Sequence, residues 1–253
     1  MKSLFLPVFL LGLFTAGAGA VEIQVLSPPV VANAGLKAIA AAFTKETGVT
    51  VNVRGLELLK IPQDTTAQPT DIVFVTPDLM DGLSKSGAVG SRAPLGRVNI
   101  GLAVKAGAPH PDITTVPKLV AVLKAYNGVV YSNPDSARGS LGALMIDRLL
   151  KRPEFSGVHG VISSKGNGAA GLMNGEADSA LQFESEILPH KEIELVGALP
   201  EELGAFVNID VAVGAKAPQA AEAQAFLQYV TSAKTAALWQ AGGLSPQMAP
   251  KGH

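Results

Sequence analysis

The segment VVYSNPDSARGSLGALMIDRLL, residues 129–150, decides the fold that the rest of the chain must accommodate. Its first three residues are β-branched or aromatic, which favours a buried strand. The apolar residues Leu141, Leu144, Met145 and Leu149 recur at helical spacing, so we predict a helix after a Ser/Pro/Asp/Gly loop. The loop is therefore expected at the carboxyl end of a strand, where ligands bind in open α/β sheets.

Arg138 and Gly139 stand at the predicted start of that helix. Free N–H groups at a helix start attract an anion, and a guanidinium offers a planar pair of donors to a carboxylate. The segment therefore predicts an anion-binding site. An ordinary capped loop with a solvated arginine explains the same residues and stays open.

Composition limits the classes of function that are open to the chain. Of its 253 residues, 47% are hydrophobic and 16% charged, enough for one large or two medium α/β domains. The net charge is −1 and there is no basic tract to hold a nucleic-acid backbone, so no nucleic-acid partner is predicted. The absence of cysteine excludes thiolate catalysis. Because the four histidines are scattered, we predict no metal site and no cofactor.

Residues 1–20 have the pattern of an export signal. Lys2 precedes an apolar run from Leu4 to Phe14, and the small-residue ending AGA at 18–20 predicts cleavage before Val21. A membrane anchor is the alternative, but about ten uninterrupted apolar residues are too few to span a bilayer. We therefore predict a periplasmic protein that is not embedded in the membrane once the signal is removed.

Polar or proline-containing loops follow the first predicted strands. Strands at 22–26, 49–53 and 71–75 each pass into such a loop and then into a helix, the first of these helices covering 33–47. Three successive strand–loop–helix units predict an α/β fold with a mostly parallel sheet. Further along, residues 92–96 are predicted to form a loop before a strand at 98–104.

Several landmarks occur together along the chain: the signal-like start, a serine loop after the first strand, the Tyr131–Arg138 loop, GEADSALQFESE at 175–186, and AEAQAFLQYVTSAKTAALWQAGGL at 221–244. In this combination the chain resembles the periplasmic molybdate-binding proteins of ABC transporters and their type II solute-binding relatives, over nearly the whole mature length. The resemblance implies two α/β lobes, each a mostly parallel sheet flanked by helices, with the ligand in the cleft between them. It also implies closure about a hinge and, for transport, an ABC permease as partner.

The resemblance also suggests where the lobes divide. By analogy, residues 1–20 are the signal peptide, residues 21–97 with 206–253 form the first lobe, and residues 98–205 form the second. The returning C-terminal segment then closes the first lobe.

The chain departs from the molybdate-binding pattern at positions that would hold the ligand. The resemblance implies serines in the loops after the first two strands and a tyrosine near a later strand end. Here Val30 takes the place of the first serine, the loop at 54–60 has no serine, and the tyrosine position falls near Gln182 or Phe183. A dry cleft without these donors leaves a small oxyanion poorly satisfied, so molybdate is disfavoured.

Cations replace the missing serines. Arg54, Lys60, Arg138 and Arg97 are placed in predicted loops, and guanidinium groups pair well with planar carboxylates, which predicts a small anionic organic acid such as a tricarboxylate. Each cation is also explained as an ordinary solvated residue. The predicted ligand-binding residues are Ser27, Arg54, Lys60, Thr76, Arg97, Ser132, Ser136, Arg138, Gly139 and Gln182.

The loop Tyr131–Gly139 is similar to that of a divergent branch that includes bacterial aconitate isomerase. This similarity implies an exported enzyme that interconverts cis- and trans-aconitate by an allylic proton shift, which needs a base beside a carbon acid. The candidate catalytic bases are Glu184, Glu57 and Asp135, each also explained as an exposed loop residue or helix cap. Three functions stay open: a polycarboxylate carrier, an aconitate isomerase and an oxyanion carrier.

Overall fold

The computed structural model describes residues 21–135 and 140–247, which fold into a layered α/β structure. The strands, in chain order, are β1 (Glu22–Ser27), β2 (Thr50–Gly55), β3 (Ile72–Val75), β4 (Val89–Lys105), β5 (Val129–Tyr131), β6 (Gly160–Ile162), β7 (Ser179–Phe183), β8 (Ile193–Ala198), β9 (Phe206–Gly214) and β10 (Leu244–Pro246). The helices are α1 (Pro29–Val31), α2 (Lys37–Thr47), α3 (Ile61–Ala67), α4 (Pro77–Lys85), α5 (Val116–Ala125), α6 (Leu141–Leu150), α7 (Gly168–Met173), α8 (Glu184–Ile187), α9 (Ala220–Val230) and α10 (Ala236–Ala241).

The strands form two lobes that share β4. In the first lobe the order is β2-β1-β3-β9-β4, with β1 parallel to β2 and β3 and with β9 antiparallel to its neighbours. In the second lobe β4 is followed by β7, β5 and β6, and β5 is parallel to both of its neighbours. The predicted α/β fold, with parallel strands and flanking helices in each lobe, is confirmed.

The long strand β4 passes from one lobe into the other. Asn99 still pairs with Phe206 of β9, whereas Ile100 pairs with Phe183 of β7. The change of partner at 99/100 and the start of β9 at Phe206 lie within two residues of the expected boundaries at 97/98 and 205/206. We keep that division of the chain as a proposal, since it rests on where two strands cross.

The loop predicted at 92–96 is wrong, because these residues lie inside β4. Proline and glycine favour a loop there locally. Antiparallel pairing with β9 overrides that preference, with Arg92 opposite Ala212 and Pro94 opposite Asp210. Register shifts on both sides of residues 92–94 absorb the irregularity, and Arg92 Nε donates a hydrogen bond to Asp210 Oδ2 at 2.7 Å.

The helix predicted over 33–47 begins earlier and is interrupted. α1 leads into a π-helical segment, Ala32–Leu36, before α2 begins. Gly35 in this segment has φ = 110°, and a Cβ at this position would lie 2.8 Å from the carbonyl oxygen of Leu238 in α10. Glycine at this position therefore allows the C-terminal helix to approach the backbone that follows the first loop.

One large apolar cluster extends through both lobes. It includes buried side chains of β1 and α2 in the first lobe and of β5 and α6 in the second. Phe43 of α2 packs edge-to-face on Phe226 of α9, with ring centroids 5.0 Å apart, and this contact fixes the returning C-terminal segment on the first lobe. None of the helices within 21–135 and 140–247 has both the length and the apolar character that crossing a bilayer requires.

Candidate functional site

A cleft of about 510 Å³ opens between the two lobes. Its wall consists mainly of the loops that follow β1, β2, β5 and β6 and of residues around the end of β7. These are carboxyl ends of strands, where α/β sheets present their loops and helix starts to ligands. The lining residues are Pro28, Pro29, Val30, Glu57, Leu58, Ser132, Asn133, Ser140, Leu141, Gly142, Ser163, Ser164, Gly166, Asn167, Gln182, Phe183, Glu186, Val207 and Ile209.

Two capped helix starts contribute to this wall. Ser140 Oγ accepts a hydrogen bond from Ala143 N at 3.3 Å and caps α6. Asn167 Oδ1 accepts one from Ala170 N at 2.9 Å and caps α7. Both capping residues line the cleft, so the positive ends of two helices lie beside it and favour negative charge there.

A short hydrogen-bonded chain orders the side chains at the end of β7. Ser132 Oγ donates to Gln182 Oε1 at 3.2 Å. Gln182 Nε2 then donates to Glu186 Oε2. Ser132 and Gln182 are buried, so the chain is a rigid part of the wall and positions the Glu186 carboxyl group.

Two carboxyl groups line the cleft from opposite lobes. Glu57 follows β2 in the first lobe, and Glu186 lies on α8 in the second. Burial raises the pKa of Glu186 to about 7; the hydrogen bond from Gln182 opposes the rise, and the negative charge of Glu57 adds to it. At neutral pH, Glu186 is therefore present as both acid and carboxylate, which suits it to give or take a proton.

The structure brings some of the predicted site residues together. Ser132, Gln182 and Glu57 line the same cleft. Val30, at the position where the resemblance implied a serine, lines it as well, and so does Phe183, which with Gln182 lies near the position where a tyrosine was implied. The cleft wall is therefore apolar at the first of these places.

Two of the predicted cations are engaged away from the cleft wall. Arg54 Nη2 pairs with Asp64 Oδ2 at 2.7 Å on the first lobe. Arg97 binds both carboxylate oxygens of Glu201, at 2.6 and 2.7 Å, and its guanidinium lies 4.7 Å from the ring centroid of Phe206. Neither arginine belongs to the lining residues, because each is held by a carboxylate of its own surroundings.

Three further predicted ligand-binding residues are not on the wall either. Lys60 is exposed at the end of the 3₁₀ turn Leu58–Lys60. Ser27 is fully buried, and its hydroxyl donates to the Pro28 carbonyl at 3.1 Å. Thr76 occupies the N-cap position of α4, and its side chain makes no capping hydrogen bond.

Among the described lining residues there is no lysine or arginine. Ser136, Arg138 and Gly139 lie outside the described residues, so their predicted role stays a prediction. Arg138 is thus the predicted cation whose place in the chain, between the described wall residues Asn133 and Ser140, still agrees with a role in the cleft.

The candidate base Glu184 lies at the start of α8 but is not a lining residue. Its Oε2 accepts a hydrogen bond from Asn99 Nδ2 at 3.3 Å, beside the crossover of β4. Burial raises the pKa of Glu184, while Asn99 and Arg97 oppose the rise. The third candidate base, Asp135, is exposed and is also absent from the wall.

The residues that the sequence did not single out are Glu186 and the polar groups Asn133, Ser140, Ser163 and Asn167. Asn167 could have been found, because asparagine three residues before Ala170 at a Gly/Ala-rich helix entry is a capping signal. Glu186 carries no such local signal. Its importance comes from burial beside Gln182 and Glu57, which only the folded chain reveals.

Comparison with known proteins gives a consistent set of relatives. The model of a family described as bacterial extracellular solute-binding protein matches residues 23–245. An aconitate isomerase from Pseudomonas sp is 30% identical over 220 residues, which cover 83% of this chain and 83% of that protein. The predicted resemblance to solute-binding proteins and to the isomerase branch is therefore confirmed.

Solved structures show the same fold. The substrate-binding domain assigned to a molybdenum ABC transporter from Clostridium difficile superposes with a TM-score of 0.72 at 14% identity, covering 89% of this chain and 98% of that chain. The periplasmic molybdate-binding protein of Azotobacter vinelandii superposes with a TM-score of 0.68 at 17% identity, covering 89% of this chain and 100% of that chain. At such low identity these structures establish the two-lobe architecture and leave the ligand open.

Proposed function

Because this chain belongs to the bacterial extracellular solute-binding proteins, we propose that it captures a small organic acid in the cleft between its lobes. The class that we favour is a polycarboxylate, with aconitate and other tricarboxylates as its first members. The observation that carries the proposal is the composition of the cleft wall, which combines apolar contacts, neutral hydrogen-bond donors and two carboxyl groups within about 510 Å³.

The size and wall of the cleft suit a carbon skeleton. Its volume lies within the range of roughly 300–1,000 Å³ that is typical of small-molecule sites. Val30, Leu58, Leu141, Phe183 and Val207 offer apolar contacts that a compact inorganic oxyanion would leave unused. An organic acid of about ten heavy atoms would bury part of its skeleton against these side chains.

Neutral and dipolar groups would hold its carboxylates. Asn133 and Ser163 can donate hydrogen bonds, and the capped starts of α6 and α7 add favourable dipoles. Arg138 is proposed to supply the positive charge from the segment next to Ser140.

The test is a ligand panel on the purified mature chain. We expect isothermal titration calorimetry to detect binding of cis-aconitate, trans-aconitate, citrate or tricarballylate, and to detect weaker binding or none with sulfate and molybdate. Tight binding of molybdate or sulfate together with no response to any carboxylate would overturn the proposal in favour of oxyanion transport.

A second candidate function is isomerisation of aconitate, favoured by the 30% identity to an aconitate isomerase. In this reaction a base removes a proton from the CH₂ group beside a carboxylate, the electron pair shifts into the allylic system, and a new C–H bond forms at its other end. We propose Glu57 as the base and the acid form of Glu186 as the donor that stabilises the charge developing on a carboxylate. The reaction needs no other reactant, since the proton removed is balanced by the proton added.

Chromatographic separation of cis- and trans-aconitate after incubation with the protein tests this candidate. Glu57→Gln should lower the conversion rate by about 10²–10⁴-fold, while the exposed Glu154→Gln serves as a matched control with the wild-type rate. Binding of aconitate without conversion would leave the carrier function alone. If the Glu57→Gln variant converts aconitate at the wild-type rate, Glu57 is excluded as the base.

We also propose export to the periplasm and, for the carrier function, delivery to an ABC permease. The signal-like residues 1–20 and the family support this location. Mass spectrometry of the protein from a periplasmic extract should give a chain that begins at Val21. Recovery of the intact chain from the cytoplasm alone would contradict this part of the proposal.

A further inference from the structure

The cleft brings two carboxyl groups toward the same volume, which is unusual for a site proposed to receive an organic anion. Glu57 and Glu186 come from different lobes, and each contributes to the wall. If both were ionised when the ligand arrived, its carboxylates would meet two like charges in a partly desolvated space. A proton on one of the two groups would remove one of these like charges.

The hydrogen bonds around Glu186 indicate which group changes. Gln182 Nε2 donates to Oε2 of Glu186, while Gln182 Oε1 accepts a hydrogen bond from Ser132 Oγ. In this arrangement Oε2 of Glu186 is an acceptor, so a proton on Glu186 would reside on Oε1. A protonated Oε1 is a donor, and it belongs to a side chain that lines the cleft.

We propose that Glu186 carries a proton in the binding-competent protein and donates it in a hydrogen bond to a carboxylate of the ligand, so that capture of the organic acid takes up a proton from solvent. The inference rests on the proposed function and names the protonation state of the same site. The step makes no covalent bond to carbon. The proton comes from water or buffer, and it stays between Glu186 and the ligand while the complex lasts.

The groups around Glu186 agree with this assignment. Gln182 of β7 donates to its carboxyl group, the charge of Glu57 from the loop after β2 acts on it, and Asn133 and Asn167 line the same cleft. Of these, Glu57 alone is charged, and its negative charge favours the acid form of Glu186. On α8 itself, Glu184 is bonded to Asn99 at the crossover of β4 and not to the cleft. Arg138 belongs to the segment outside the described residues, so the experiment must measure the proton directly.

Calorimetry at pH 7, 8 and 9, each in two buffers of different ionisation enthalpy, measures that proton. We expect uptake approaching one proton per molecule of trans-aconitate at pH 8–9, and an affinity that falls up to tenfold per pH unit above 7. In Glu186→Gln the amide keeps a donor but cannot titrate, so affinity and proton count should be nearly constant over this range. Subtracting the proton uptake of the variant from that of the wild type also removes the contribution of the ligand's own titration.

Glu184→Gln is the matched control, since it removes the other partly buried glutamate of α8. It should retain the wild-type pH dependence and proton uptake. Loss of the pH dependence in Glu184→Gln but not in Glu186→Gln would overturn the assignment. So would binding by the wild type with no proton uptake at any of the three pH values.

A measurement without ligand separates this inference from the proposed function. Carbon-13 NMR of glutamate-labelled protein should show one side-chain carboxyl that titrates near neutral pH and that disappears in Glu186→Gln. If no carboxylate of the panel binds, the proposed function and the inference built on it both fall. If carboxylates bind and the neutral titration is absent, only the inference falls.

Discussion

Glu186 makes the stability of the folded chain depend on pH. Its pKa is about 7 in the folded protein, above the value of a solvated glutamate, so the folded state holds more protons than the unfolded state between about pH 4.5 and 7. The free energy of unfolding should therefore fall as the pH rises through this window. Glu186→Gln cannot ionise at this position, so its free energy of unfolding should not fall in this way. At pH 8 the variant should be more stable than the wild type, by at most about 3 kcal/mol.

Thermal unfolding at pH 5 and at pH 8 measures this difference. The gain in melting temperature of Glu186→Gln over the wild type should be larger at pH 8 than at pH 5. Glu154→Gln, at an exposed position, should follow the wild type at both values. An equal gain at both pH values would mean that the substitution acts through packing and not through ionisation.

We propose that capture of a carboxylate depends most on Arg138. Arg138→Ala should lower the affinity for carboxylates at least tenfold, because truncating one partner of a charge-assisted pair typically costs more than 1.4 kcal/mol. The melting temperature should stay within a few degrees, since a cation in the predicted loop is expected to contribute little to the core.

The matched control for Arg138→Ala is Arg54→Ala. Arg54 pairs with Asp64 away from the cleft wall and is 43% exposed, so its removal should leave the affinity nearly unchanged. Calorimetry with the same carboxylate compares the two variants. If Arg138→Ala binds the carboxylate as tightly as the wild type does, the proposed anion-binding role of the 129–150 segment is wrong.

Single residues also mark the limit of what the sequence could predict about the site. Glu184 follows β7 directly and was therefore a reasonable candidate base, but successive residues on a helix turn by about 100°, so Glu184 and Glu186 face nearly opposite sides. The phase of α8 decides which one reaches the cleft, and no local signal gives that phase. In the same way, nothing near Arg54 or Arg97 in the chain indicates that Asp64 and Glu201 would hold their side chains.

At the scale of elements, the approach of α10 to the π-helical segment depends on Gly35. Gly35→Ala introduces a side chain where φ is 110° and where Cβ would lie 2.8 Å from the Leu238 carbonyl oxygen. The backbone strain costs about 1–2 kcal/mol and the overpacking about 1–3 kcal/mol more. We expect a clear loss of melting temperature in a thermal unfolding experiment.

Gly48→Ala supplies the control for this prediction. Gly48 also has a positive φ, 77°, but nothing lies within 4 Å of a Cβ placed there. Its substitution should therefore cost only the backbone strain. If the two variants lose the same stability, the contact between Gly35 and α10 contributes nothing measurable.

The elements themselves were predictable where local pattern and tertiary pairing agree. β5 at Val129–Tyr131 and α6 at Leu141–Leu150 are the strand and helix that the pattern of residues 129–150 predicts. β4 shows the opposite case, because its proline and glycine favour a loop while the neighbouring β9 imposes a strand. Long-range pairing is absent from any short window of sequence, so such a strand cannot be found from propensity alone.

At the scale of the whole molecule, ligand binding should stabilise both lobes together. A ligand bound only by the folded protein adds about 2.7 kcal/mol at a concentration of one hundred times its Kd, which corresponds to about 5–10 °C for a chain of this size. Differential scanning calorimetry with trans-aconitate should show this shift in a single transition. Two transitions, of which only one moves, would mean that the lobes unfold independently and that one lobe alone holds the ligand.

The fold class was predictable at this scale because strand–loop–helix units repeat, and their repetition allows few architectures. The cleft between two lobes was expected from the family resemblance, and the structure has a cleft there. Its chemistry did not follow. Whether lysine and arginine side chains line the cleft depends on the direction in which these long side chains point. The described wall presents hydroxyl groups, amides and two carboxyl groups instead of the expected cations.

Trp239 has a practical consequence for every experiment on this protein. It is the one tryptophan in the sequence, it lies fully buried on α10, and its indole Nε1 donates to the Val230 carbonyl at 2.8 Å. It is not among the lining residues of the cleft. Its fluorescence emission should therefore stay blue-shifted whether or not a solute is bound and move to the red only when the C-terminal helices detach, which makes the indole an intrinsic optical reporter of unfolding.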